Sequence, residues 1–311
     1  MLKSNRIDAN FTEELVGFAL ESFLATLSFP TRRFSIEPFS RAKERWLGAD
    51  ARLHGTIKGF LPFYMQFKRP TAYPDYSSSR IIKERKQLAL ESAPRSLFFS
   101  LREKTKKQNN YQHNVLLRLR QHLQKRKIGD AAYVCPLFLD RSAYRLNMHR
   151  AGQWGWLRIW DRNPLHYDEV LINKQNDKIL FDNLPILAEH VTIPPHDRVS
   201  SASHSYSFTE SGKDICFHSP LSLPEYSNSL AYFLDGVADG FLQREDKIRP
   251  EDANEMLRSM IEYISAADDR EFIFPLDEID AGDPIGNWFA WGDYLRNEFE
   301  IDQYALVSWR L

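Results

Sequence analysis

The chain has 311 residues, 43% hydrophobic and 13% aromatic, with 41 basic and 42 acidic side chains for a net charge of -1. That is enough apolar material for one large domain or two ordinary ones, and it excludes global disorder. No apolar run approaches the roughly 18 to 20 residues of a membrane span, and "MLKSNRIDANFTEEL" has polar residues where a signal peptide has its apolar core.

Residues 10 to 27 predict an amphipathic helix, with Val16, Leu20, Phe23, Leu24 and Leu27 on one face and Asn10 and Glu13 spaced as a capping box. "RFSIEPF" reads as a first strand, "ADARLHG" as a second turned by Gly55 to Gly59, and "PFYMQFKR" as a third ended by Pro70. Residues 72 to 110 read as a polar, basic insertion with short helical pieces. Residues 112 to 126 form a helix with Val115, Leu116, Leu119 and Leu123 on one side. It leads into "DAAYVCPLFL", a strand apolar on both faces and therefore central. Gln112 and His113 start that helix where a polar side chain can face the site, with helix capping and solvent exposure as the plainer reading.

After residue 145 the pattern loosens. Trp154, Trp156 and Trp160 alternate around Arg158, as a packed sheet face or a stacking platform for bases. "SYSFTE" and "DICFHS" form a hairpin around Ser211 and Gly212, and helices follow from residue 222. The expected division is a core over 1–145 and a β-hairpin and helical extension over 146–311, within one domain or beside it.

Cys135 and Cys216 lie in different strands with no CxxC, which disfavours a thiolate zinc site and fits a reducing, cytoplasmic setting. His190 and His196 flank "VTIPP" as loop imidazoles. Charge is segregated: residues 78 to 127 hold fourteen Lys/Arg against three acids, and residues 234 to 303 hold nineteen acids against six Lys/Arg. A basic block beside a site suits a polyanion such as DNA, and a solvated helix face is the plainer reading.

The chemistry concentrates at Glu44, Asp50, Gln66 and Lys68. In a hairpin through Gly55 and Gly59, Gln66 and Lys68 share a face opposite Asp50, and Glu44 approaches from the entering loop. Asp50, Gln66 and Glu44 supply oxygen ligands for Mg²⁺ or Mn²⁺. Lys68 can orient a water and offset charge on phosphorus.

"E-x5-D" ending in Gly-Ala-Asp, followed by "QFKR" at a strand end, resembles the PD-(D/E)XK nuclease superfamily. Its nearest variants read Gln-x-Lys, as in restriction and anti-phage nucleases of the Mrr kind. The resemblance implies an α/β, restriction-endonuclease-like core with a mixed central sheet flanked by helices, carrying an α-rich C-terminal extension. It also implies a Mg²⁺- or Mn²⁺-dependent endonuclease acting on DNA in antiviral defence; the residues do not distinguish DNA from RNA, and the candidate protein partners are a second copy of the chain or a helicase/ATPase. A first-helix acid, for which Glu13 is the candidate, often joins such sites. Ala49 stands where the motif has Pro, and Gln66 brings no charge. The alternative is therefore a nuclease-fold binding or regulatory subunit of a defence complex with little catalysis.

Overall fold

The structure is a computed structural model that describes residues 5–28, 34–39, 57–104, 108, 110–147, 149–150, 172–173, 175–176, 178–181, 185–223, 228–265, 280 and 282–309. Its strands are β1 (Ile7–Asp8), β2 (Ser35–Pro38), β3 (Ile57–Phe67), β4 (Thr71–Pro74), β5 (Arg95–Ser100), β6 (Ala131–Pro136), β7 (Ile172–Asn173), β8 (Lys178–Ile179), β9 (His190–Ile193), β10 (Ser205–Thr209), β11 (Cys216–Phe217), β12 (Leu221–Ser222), β13 (Asn228–Ser229) and β14 (Asp302–Trp309). The helices are α1 (Glu13–Ser28), α2 (Arg80–Gln87), α3 (Gln112–Arg126), α4 (Pro185–Ala188), α5 (Leu230–Ala238), α6 (Ala253–Ser265) and α7 (Pro284–Phe299).

Two six-stranded sheets organise these elements. The mixed sheet runs β13-β9-β6-β3-β14-β2, and the other runs β1-β4-β5-β10-β11-β12. Among the described residues only β3 and β6 pair in parallel, Tyr64 opposite Ala131 through Phe67 opposite Val134. α3 supplies the crossover between them, as a parallel pair requires.

Neighbouring residues of β3 point to opposite faces, and both faces are covered. Phe63 meets Phe233 of α5. Tyr64 accepts a hydrogen bond from Trp291 Nε1 of α7 at 3.2 Å and donates to Met260 Sδ of α6 at 3.6 Å. Helices therefore flank the mixed sheet on both sides, which explains why β3 from Phe60 to Met65 and β6 are apolar on both faces. Gly129 lets the turn from α3 into β6 press on β3, because a Cβ there would collide with the Pro62 carbonyl. Among the described residues no helix is long and apolar enough to cross a membrane.

Several expectations are corrected. The hairpin partner predicted for β3 at 49–55 lies outside the described residues, and its place beside β3 is taken by β14, with Asp302 opposite Met65 through Val307 opposite Phe60. The other edge of Phe60 bridges to Ile248. β14 suits this inner position because Tyr304, Ala305, Leu306 and Val307 are apolar on both faces and buried. The 72–110 insertion holds β5 and α2, and its first residues lie within β4, so it helps to build the second sheet instead of decorating the first. Both sheets combine strands from before and after residue 145, and the C-terminal half contributes β9 to β14 as well as helices.

Candidate functional site

β3 delivers Gln66 and Lys68 to its C-terminal end. The Lys68 N–H still donates to Val134 O at 2.9 Å, so the chain leaves the sheet only after this residue. Both side chains are buried, with 1% and 4% of their surface exposed.

The Lys68 ammonium donates to Gln112 Oε1 at 3.1 Å. Gln112 Nε2 donates in turn to the Phe299 carbonyl. Gln112 therefore neither caps α3 nor faces solvent, contrary to the plainer of the two sequence readings, and its side chain faces Lys68; the cap residue Tyr111 makes no side-chain cap bond. His113 is likewise buried, held by Tyr133 Oη at 2.8 Å and by the carbonyls of His196 and Asp197 at 2.7 and 2.8 Å. His190, read as a loop imidazole, is fully buried in β9.

Gln66 Nε2 donates to the Phe67 carbonyl at 3.3 Å, and Gln66 Oε1 is buried with no hydrogen-bond partner. An unpaired buried carbonyl costs about 1–3 kcal/mol, so its presence calls for a reason.

Glu13 is not the capping residue its spacing suggested. Thr12 Oγ1 caps α1 by accepting from Leu15 N at 3.3 Å, and Asn10 Oδ1 accepts from Arg141 N at 2.5 Å. Glu13 Oε1 instead accepts from Arg69 N at 3.1 Å, directly after Lys68. Glu13, Gln66, Glu300 and Asp302 line one cleft of about 330 Å³. Asp302 is paired with Arg296, and Glu300 Oε1 lies 2.6 Å from Arg102 Nη1. Burial pulls the Lys68 pKa below that of an ordinary lysine, while the carboxylates of Glu13 and Glu300 oppose the shift.

Carboxylates and an amide carbonyl are hard oxygen donors, which fits Mg²⁺ or Mn²⁺ and not a soft metal. Among the described residues no group of three His, Cys, Asp or Glu side chains is arranged to hold a metal. Two of the predicted residues, Glu44 and Asp50, lie outside the described residues, as does the Trp154, Trp156, Trp160 and Arg158 stripe. Glu300, Asp302 and Arg102 were not found by sequence reasoning. They come from distant segments, and no short-range spacing marks them.

A second polar cluster has the connectivity of a hydrolase triad. His218 lies 2.8 Å from Ser207 Oγ through Nε2 and 2.6 Å from Glu84 Oε2 through Nδ1. Ser207 is wholly buried, however, and its Oγ also accepts from Arg85 Nη1 at 2.9 Å. A serine so enclosed cannot reach a carbonyl substrate. The cluster ties α2 to the antiparallel sheet.

The basic block does not form one face. Arg85 and Arg118 are buried, with Arg118 donating to Ile264 O at 2.6 Å. Arg95 and Arg120 are paired with Glu210 and Asp130. Lys125 and Lys127 sit at the far end of α3 from Gln112, roughly 20 Å away at 1.5 Å per residue. Arg296 lines the cleft but is paired with Asp302, and Arg69 and Arg102 adjoin it through their contacts with Glu13 and Glu300.

No protein-family model, curated protein or solved structure matches this chain.

Proposed function

We propose that the chain is a metal-dependent nuclease with a restriction-endonuclease-like core, acting on DNA in the cytoplasm as part of antiviral defence, and that the end of β3 is its active site. The observation that carries this reading is the buried Lys68, fixed by Gln112 beside the unpartnered Gln66 carbonyl and Glu13. A fold seldom buries an ammonium and an unmet acceptor side by side unless they serve a ligand.

In this reading Asp50, Gln66 and Glu44 hold Mg²⁺ or Mn²⁺, joined by Glu13. A cation held by these residues would supply a Lewis acid for the scissile phosphate and would lower the pKa of a coordinated water. Lys68 has three hydrogens to donate and gives one to Gln112, so the others can direct a water and meet charge developing on phosphoryl oxygen. Gln112 sets the direction of the ammonium by anchoring it to the Phe299 carbonyl. The crossover helix α3 between parallel β3 and β6 supports the fold assignment, as do the helices on both sheet faces.

Purified protein, supercoiled plasmid and Mg²⁺ test the reading, with Asp50→Ala and Lys68→Ala as controls. Cleavage by wild type alone is expected. Equal cleavage by all three, or none by wild type on DNA or RNA, overturns it. The uncharged Gln66 favours one second reading, a nuclease-fold regulatory subunit that binds nucleic acid, a helicase/ATPase or another copy of itself without cutting. Retained nucleic-acid binding without cleavage would select that reading.

A further inference from the structure

We propose that Glu300 completes a divalent-cation site with Gln66 Oε1 and Glu13 in the cleft beside Lys68, supplying from the C-terminal part of the chain the negative charge that Gln66 lacks. The site is defined by donors within the cleft, and its use in cleavage rests on the nuclease reading.

Gln66 Oε1 marks the place. Gln66 lines the cleft and is 99% buried, and its Oε1 has no partner among the described residues. A cation or its coordinated water is the ligand that a lone amide carbonyl beside carboxylates would take.

The acids of the cleft differ in their availability. Asp302 is buried and committed to Arg296. Glu13 uses one oxygen on Arg69 N–H and projects from the first turn of α1. Glu300 is half exposed and meets Arg102 in a surface pair, an interaction that contributes little and can be exchanged.

The position of Glu300 is set by the same chain of bonds that holds Lys68. α7 ends at Phe299, whose carbonyl accepts from Gln112, whose Oε1 accepts from Lys68. Glu300 then takes a left-handed conformation, φ 52°, with its N–H on Arg296 O at 2.8 Å. β14 begins two residues later against β3, so the turn cannot move away from the Gln66 end of that strand. Two carboxylates and one carbonyl leave room for waters, which suits Mn²⁺ or Mg²⁺.

Titration calorimetry of the full chain with Mn²⁺ tests this, with melting curves recorded for each variant. Wild type is expected to bind. Glu300→Gln should weaken binding at least about tenfold, by removing an anionic ligand from a hard-cation site. Gln66→Glu should tighten it by a similar factor, and Arg102→Gln should leave it equal or tighter because Glu300 is released. The proposal is overturned if wild type binds no Mn²⁺, if Glu300→Gln binds as wild type does, or if Arg102→Gln loses as much as Glu300→Gln. The last result would make the pair merely structural. Glu300 and Arg102 are partly exposed, so both variants are expected to fold even if Gln66→Glu does not. Glu300-dependent binding without cleavage of DNA or RNA would defeat the nuclease reading alone. Cleavage lost in Asp50→Ala but intact in Glu300→Gln, with unchanged Mn²⁺ affinity, would defeat this proposal alone.

Discussion

In the antiparallel sheet, Ser207, His218, Glu84 and Arg85 satisfy one another. Arg85 alone donates to Ser207 Oγ, to Asp214 O at 2.8 Å and to Glu91 O at 3.0 Å, and nothing in the cluster is left over. In the mixed sheet, Gln66 and Lys68 are buried as deeply, yet Gln66 Oε1 is unmet and the cleft opens beside it. Burial of polar groups is common to both regions. What separates them is unmet hydrogen-bonding capacity next to an opening, and the proposed site at the end of β3 rests on that difference. His190 shows that both conditions are needed: its Nε2 has no partner, but it lines neither this cleft nor the one beside Arg126.

The largest expected effect breaks the sealed cluster. Arg85→Met strands the Asp214 and Glu91 carbonyls and leaves Ser207 Oγ with His218 alone, and should cost about 3 kcal/mol or more from unpaired buried acceptors, read by urea denaturation. Mn²⁺ affinity of the folded fraction should not change. A loss under about 1 kcal/mol would mean the cluster is not structural.

Next comes acid. His190 donates through Nδ1 to Ile186 O at 3.0 Å, and burial holds its pKa down to about 4. The unfolded chain therefore takes up this proton first, near the ordinary value of 6.5. Stability is full above pH 6.5 and declines as pH falls towards 4, by up to about 3 kcal/mol. A volume-matched His190→Gln should flatten the decline between those limits in denaturation followed against pH. An unchanged slope would contradict the assignment.

Lys68→Met should show the signature of a functional group. Its buried charge is costly and its loss strands Gln112 Oε1, so the terms offset and stability should change by less than about 1 kcal/mol. Cleavage should fall by about 100-fold or more, as for loss of a group meeting transition-state charge. The smallest effects belong to Lys125→Gln and Lys127→Gln at the distal end of α3, expected to change DNA affinity less than about twofold each at physiological salt. Arg69→Gln should do more.

What the sequence disclosed follows from the range of the interactions. Helix α3 and strands β3 and β6 were legible because their apolar periodicity is local. The β10–β11 hairpin was legible from the turn at Gly212, which takes φ +74°. The pairing of β3 with β14 was hidden, because it joins residues more than two hundred positions apart and any apolar strand satisfies the same pattern. Lys68 and Gln66 could be singled out by spacing, whereas Glu300 and Gln112 reach the site only through that long-range pairing and the start of α3. The basic block misled for the opposite reason: charge counts ignore burial, and Arg85 and Arg118 are inside.

Nicking of supercoiled plasmid by wild type and by Lys68→Met, in Mg²⁺ and at matched folded fraction, tests the central claim most directly. Cutting by wild type, with the variant slower by about 100-fold but equally stable, is the predicted result. A variant that cuts as fast as wild type, or a wild type that never cuts DNA or RNA, contradicts it.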